Sequence, residues 1–252
     1  MTINIIGAGN VAYHLTKALL YKQLPLQQLY NRSAFSADFE CFAVEKTHCL
    51  SELKPAALTI IATSDNAIAS LSEQLPFSGG LVVHTSGNTP LTALHPKNRR
   101  GVFYPLQSFS KHAEVDFSKV PICLEAENTD DLVLLQQLAS HLSTHCYQLS
   151  SAQRQLLHVA AVFANNFTNH LIAISQEICE QHHIPFELLQ PLIAETFAKL
   201  QHHTALEAQT GPARRGDTRT IAAHLALLNE PQKQLYEYLT KSIINTYGKK
   251  VL

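Results

Sequence analysis

The chain has no excess of charge, no membrane-length apolar run and no ordered set of cysteines, and each absence removes a class of function. Its 19 basic and 20 acidic residues nearly cancel over 252 residues, so neither nucleic acid nor an anionic membrane surface is an expected partner. The pairs Arg99-Arg100 and Lys249-Lys250 are too short to alter that. No apolar stretch approaches a bilayer span, Asn4 interrupting the N-terminal one, and no signal-peptide pattern is read. The five cysteines (Cys41, Cys49, Cys123, Cys146 and Cys179) are scattered and odd in number. They read as reduced thiols, and the expected location is the cytoplasm. Histidines are numerous, 14 in all, but Cys and His do not fall at zinc spacings and no metal is expected. His48, His112 and His141 read as surface positions. The chain also lacks internal repeats and low-complexity segments.

What is present begins in the first dozen residues. A β-branched run, Ile3-Asn4-Ile5-Ile6, leads into Gly7-Ala8-Gly9-Asn10-Val11-Ala12, and an apolar-periodic stretch follows through Leu15, Ala18 and Leu19. This is the strand–turn–helix context of the dinucleotide fingerprint G-x-G-x-x-A. Gly7 permits the tight turn, Gly9 removes a side chain where a pyrophosphate approaches, and small Ala12 lets helix and strand pack. The helix N-terminus then presents free N–H groups and a positive dipole end to the phosphates. The alternative is a glycine-rich turn in an empty α/β domain. At the end of the second strand, where NAD binders carry an acid for the ribose 2′-OH, Leu29-Tyr30-Asn31-Arg32-Ser33 offers an amide, a guanidinium and a hydroxyl. Those groups suit a 2′-phosphate, so NADP(H) is the expected cofactor; otherwise Arg32 is a solvated loop residue.

The remaining pattern alternates strands with helices. Strands are expected at Leu26 to Asn31, Thr47 to Cys49, Leu58 to Thr63, Leu81 to His84, Gly101 to Tyr104, Val120 to Leu124 and Cys146 to Leu149. Helices are expected from Ser33 to Val44, from the N-cap Asp65 through Leu75, and from Asp131 to Leu142, with a helical turn at Ser51 to Lys54. From Ser151 the pattern becomes all-helical, with one long helix to Gln181 and another from Pro185. A third helix is capped by Asp217, and a last one starts near Pro231 and stops before Gly248. The expected fold class is therefore α/β: a Rossmann-type, doubly wound, mostly parallel sheet in residues 1–150, followed by an all-α domain in 151–252.

Four groups of residues could carry chemistry, the first two of them loops at the carboxyl ends of such strands. Ala62-Thr63-Ser64 can line a nicotinamide ribose or simply cap the Asp65 helix. In His84-Thr85-Ser86-Gly87-Asn88, an imidazole beside Ser-Gly can bind a substrate carboxylate or carbonyl, or His84 can be a core residue bonded to backbone. His158, Asn165 and Asn169 are spaced i, i+7, i+11, within about forty degrees of one another on an α-helix. Such polar groups on an apolar helix need a ligand, water or a partner helix. Asn166, about eighty degrees away, is expected to face elsewhere. Finally, Thr210-Gly211-Pro212-Ala213-Arg214-Arg215-Gly216-Asp217 is either an anion clamp or a connector with solvated arginines.

Together, Gly7 to Ala12, His84 to Gly87, Tyr104-Pro105-Leu106-Gln107-Ser108-Phe109 and Gly211 to Asp217 resemble bacterial Rossmann-like proteins that end in the helical domain of unknown function 2520. Proteins of that group are labelled NADP oxidoreductases. More distantly the chain is similar to the β-hydroxyacid and 6-phosphogluconate dehydrogenases, with pyrroline-5-carboxylate and ketopantoate reductases as cousins. The usual third piece starts with His where this chain has Tyr104. The dehydrogenases carry K-x-x-N-N on the long helix, which keeps Asn165 and Asn166 but puts Val162 at the general acid/base lysine. The resemblance implies an oxidoreductase acting on a small, anionic metabolite, and a homodimer formed through the helical domain. His158, one turn before Val162 on the same face, can handle the proton in the lysine's place, with His84 as the other candidate; neither role follows from the family pattern. In this reading Ser86, Gly87, Asn165 and Asn169 contact substrate, and Arg215 pairs with its anion. Because Val162 replaces the lysine, a non-catalytic NADP(H)-responsive protein is the second reading, and a bare oligomerisation scaffold the third.

Overall fold

Strand β1 (Ile3–Ile6) is buried along its whole length, as its unbroken β-branched pattern requires of a central parallel strand. It lies between β2 (Leu26–Tyr30) and β4 (Leu58–Ile61), both parallel to it. The computed structural model describes residues 2–111 and 113–247; His112 and the expected stop at Gly248 lie outside them. With β3 (Glu45–Thr47), β5 (Leu81–His84), β6 (Arg99–Pro105), β7 (Ile122–Ala126) and β8 (Cys146–Gln148), these strands form an eight-stranded sheet of order 3-2-1-4-5-6-7-8. Only the β6–β7 pair is antiparallel. The order reverses direction between β1 and β4, the place where a doubly wound sheet opens a crevice for ligand at its carboxyl edge.

Helices α1 (Asn10–Tyr21), α2 (Asp65–Gln74) and α3 (Thr129–Leu142) connect these strands. Ile3, Ile5, Leu15, Leu19, Leu29 and Ile60 form the heart of the main core, with Phe103 and Leu135 further along the sheet. A smaller core of Ile6, Ile61, Ile68, Val82 and Leu94 fills the other face. Among the described residues no helix is long and apolar enough to cross a membrane.

Two local expectations fail for physical reasons. Ser33 to Val44 is not a helix; a single 3-10 turn forms at Ala37–Phe39. The polar side chains there bond locally instead, Asn31 Nδ2 to the Ser33 carbonyl at 2.8 Å and Ser36 Oγ to Asp38 at 3.1 Å, and such bonds compete with the helical ladder. The aromatic rings of Phe35, Phe39 and Phe42 are held by one another and by Tyr13. Nor is Asp65 an N-cap. Ser64 occupies that position without a side-chain cap bond, and Asp65 sits in the first turn, where its charge complements the dipole.

The chain divides into two compact units, residues 1–166 and 167–252. Ser150 marks where the helices begin: α4 (Ser151–Ala161) opens with a capping box between Ser150 and Gln153. Yet α4 belongs to the first unit, which closes inside a π-helical turn, Val162–Phe167. In the second unit, α5 (Thr168–Gln181), α6 (Gln190–Lys199), α7 (Ala205–Ala208), α8 (Pro212–Arg215), α9 (Thr218–Leu225) and α10 (Glu230–Tyr247) follow. Asp217 caps α9 as its sequence predicts, accepting from the Thr220 N–H at 3.0 Å. Gly216 ends α8 in the left-handed conformation, φ +66°, the usual backbone after a helix C-terminus.

Candidate functional site: a fingerprint cleft joined to a tyrosine–histidine cavity

At the carboxyl end of β1 the backbone turns sharply at Gly7, φ +123°. A Cβ there would lie 2.3 Å from the Ala62 carbonyl oxygen, so glycine alone fits. Gly9 is different: it is the N-cap of α1 with ordinary extended backbone, and a Cβ would find nothing within 4 Å. Ala12 is fully buried behind the turn, against the core. The first turn of α1 carries no acid, and its N–H groups face a cleft of about 610 Å³ bordered by Gly7 to Val11. An open approach, a positive helix end and no competing carboxylate are what a pyrophosphate needs.

Ala62, Thr63 and Ser64 border the same cleft, as do Thr85, Gln107 and Phe109. Its far end is bordered by Asn31, Ala34, Ser36 and Lys111. Of the three residues expected there from the sequence, Asn31 borders the cleft; Arg32 and Ser33 are exposed and do not.

A second cavity, about 570 Å³, lies in the same unit between the end of β6 and the helical stretch that starts at Ser151. Tyr104, Leu106, Gln107 and Ser108 form one side; Leu157, His158, Val162, Asn165 and Asn166 form the other. Gln107 borders both spaces, so the fingerprint cleft and this cavity adjoin. Asn165 and Asn166 both border the cavity because the π turn advances less per residue than an α turn, so Asn166 swings toward His158's face. Such π turns recur at functional sites. Asn169, on α5, and Arg215, ending α8, are exposed in the second unit. Its neighbour Arg214 is a structural residue, donating to the Glu207 carbonyl at 3.1 Å and lying 5.5 Å over the Tyr247 ring.

In the cavity the Tyr104 hydroxyl lies 3.2 Å from His158 Nδ1, the rings meeting edge to face. Burial pushes the Tyr104 phenol up to about 12. The phenol therefore keeps its proton, and the hydroxyl can donate to Nδ1 or accept from it according to the imidazole tautomer. Gly87 lets the pair sit against its loop: a Cβ there would meet Tyr104 Cζ at 2.7 Å and His158 Nδ1 at 2.8 Å.

The loop itself is built by buried polar groups. His84 is fully buried, and its Nδ1 accepts from the Ser86 N–H at 3.1 Å. Ser86 Oγ in turn accepts from the Asn88 and Thr89 N–H groups at 3.1 and 2.9 Å. These bonds make His84 and Ser86 positioning residues that hold the loop's shape. Below them Arg154, 1% exposed, donates to Glu125, to the Ser86 carbonyl at 3.2 Å and to the Thr89 carbonyl. Ser151 Oγ bonds the same carboxylate at 2.8 Å. Sequence reading gave no sign of Arg154, since a lone Arg in an amphipathic helix pattern normally marks the solvent face.

Burial first, and then the Arg154 charge, push the His84 imidazole down from 6.5 to about 4. Between those values the unfolded chain binds a proton that the folded chain refuses. Stability should therefore fall as pH drops through that window, by on the order of 3 kcal/mol in full. His84→Asn, whose Oδ1 can replace Nδ1 as acceptor, should flatten the loss. Urea titrations at pH 7 and pH 4.5 check this; an undiminished loss in the variant would place its source elsewhere.

The family described as domain of unknown function (DUF2520) matches residues 120–243. No curated protein matches the chain. The crystal structure of a "putative NADP oxidoreductase" from Bacteroides fragilis is 41% identical, with a TM-score of 0.89 over 96% of this chain and 97% of that one. An imine reductase from Myxococcus stipitatus in complex with NADP+ is 14% identical, with a TM-score of 0.69 over 99% of this chain and 95% of that one. A reductive aminase from Aspergillus terreus in complex with NADPH4, cyclohexanone and allyl amine is 13% identical, with a TM-score of 0.69 over 96% and 94%. The last two share the fold.

Proposed function

We propose that this chain, which belongs to the family carrying the domain of unknown function DUF2520, is an NADP(H)-dependent oxidoreductase acting on a small, anionic metabolite. One observation carries the reading: the cleft of a dinucleotide fingerprint adjoins, through Gln107, a cavity holding a hydrogen-bonded tyrosine and histidine. The similar structures, one an NADP oxidoreductase by name and the others an imine reductase with NADP+ and a reductive aminase with NADPH4, support the cofactor.

When bound, the cofactor supplies a hydride. The N-terminus of α1 and the open space at Gly9 hold its pyrophosphate, with Gly7, Ala8, Asn10 and Val11 shaping the turn and Ala12 the packing behind it. Ala62, Thr63 and Ser64 border the nicotinamide ribose. Asn31, which alone of the three residues after β2 borders the cleft, faces the 2′-phosphate. His158 gives or takes the substrate's proton through Nε2, while the contact of Nδ1 with the Tyr104 hydroxyl holds the ring in place. Asn165 and Asn166 orient the substrate beside the Ser86-Gly87 loop.

A panel of carbonyls, imines and hydroxy acids assayed for NADP(H) turnover tests this. On any active substrate His158→Ala should lower kcat by about 100-fold or more, with NADPH affinity unchanged; unaltered turnover would remove His158 from the chemistry. Val162 borders the cavity where the resembling dehydrogenases carry their lysine, and this favours the second reading, a non-catalytic NADP(H)-responsive protein. Tight NADPH binding with no turnover across the panel would select it.

The helical region, 151–252, is proposed to dimerise. Support comes from its uncovered side chains, Leu227 at 77% exposure and Leu188 at 68% among them, since apolar groups on so many helices call for cover. Sedimentation equilibrium should give twice the chain mass. The cytoplasmic location rests on the five free thiols.

A further inference from the structure

We infer that Lys111, carried by the connection between β6 and β7, is a ligand of the cofactor's 2′-phosphate and sets the preference for NADP(H) over NAD(H). The inference rests on the NADP(H) reading above. The end of β2 is where a 2′-phosphate partner is sought, yet Arg32 there does not border the cleft. Among the described residues that do, Lys111 is the charged one. It reaches the same end as Asn31, Ala34 and Ser36 from a segment about eighty residues later in the chain.

Its placement is built. Nζ donates to Ser36 Oγ at 2.8 Å and lies 3.3 Å from Asp38, while the ammonium sits 5.4 Å over the Phe39 ring. The side chain is 19% exposed, so it is neither a solvated surface lysine nor sealed from the cleft. The segment that carries it is fastened to α1. Asn10 Nδ2 donates to the Phe109 carbonyl and a His14 ring nitrogen bonds the Ser110 carbonyl, each at 2.8 Å. Phe109 stacks on Phe117 with ring centroids 5.8 Å apart.

An ammonium has three donors; Ser36 and Asp38 engage two, and one remains for an incoming oxygen. Asp38 orders the ammonium at 3.3 Å and offsets part of its charge. Because the lysine is already ordered, a bound phosphate pays little to immobilise it.

The test is calorimetry with adenosine 2′,5′-bisphosphate, NADPH and NADH on the wild type and on Lys111→Met, which keeps the stem over Phe39. The variant should bind NADPH and the bisphosphate at least about tenfold more weakly, with NADH affinity unchanged and the salt dependence of NADPH binding reduced. Lys111→Arg should keep most of the preference. Equal loss for NADPH and NADH, or no loss for either, would overturn the inference while the cofactor reading stands. If the wild type binds neither nucleotide, the cofactor reading itself fails.

Discussion

Gly9→Val should leave the fold intact and weaken NADPH binding by about 100-fold, whereas Gly7→Ala should damage the fold itself. The two glycines stand two residues apart and differ in what surrounds them. A Cβ at Gly9 projects into open space from backbone that any residue adopts. Valine there costs up to about 1 kcal/mol as a poor N-cap, but its branched side chain occupies the approach to the α1 N–H groups. Losing those charge-assisted bonds costs about 2–3 kcal/mol, on the order of 100-fold in affinity. At Gly7 the positive φ and the 2.3 Å approach to the Ala62 carbonyl combine strain with overlap, roughly 3–5 kcal/mol of stability. Urea titration and NADPH calorimetry on both variants separate the effects. A stable Gly9→Val protein that still binds NADPH at wild-type affinity would deny the pyrophosphate its assigned place.

The second large effect concerns Arg154. Arg154→Ala should lower stability by about 2–4 kcal/mol, because two buried loop carbonyls lose their donor while the Glu125 carboxylate keeps only the Ser151 N–H and hydroxyl. Arg154→Met with Glu125→Leu should recover much of that loss, since removing both charges leaves neither uncompensated. Replacing Arg154 should also loosen the His84 to Thr89 loop and let Gly87 drift from the Tyr104–His158 pair. Denaturant midpoints of the single and double variants give the coupling. A single-variant loss below about 1 kcal/mol would mean the loop holds its shape without the arginine.

Much of the fold is legible in the sequence because its signals are local. The unbroken apolar runs of β1, β4 and β5 mark strands buried on both faces. Gly7 and Gly9 stand between strand and helix, and the Asp217 cap lies three residues from the N–H it satisfies. What periodicity misreads is where side chains override it. The aromatics of 33–44 suit a helix, but they pack on Tyr13 and on one another while polar neighbours bond locally. Asn166 is misplaced on an ideal wheel because the π turn resets the phase after Ala161. Arg154 and Lys111 are illegible for another reason. Their partners, Glu125 for one and Ser36 and Asp38 for the other, come close only once the sheet has formed.

The most direct measurement for the whole account is a calorimetric titration of the wild-type chain, and of Arg32→Ala, with NADPH and with NADH. The expected result is saturable NADPH binding, with NADH bound far more weakly, and a smaller loss in Arg32→Ala than in Lys111→Met. A wild-type chain that binds neither nucleotide would contradict it and leave the Rossmann unit as a scaffold.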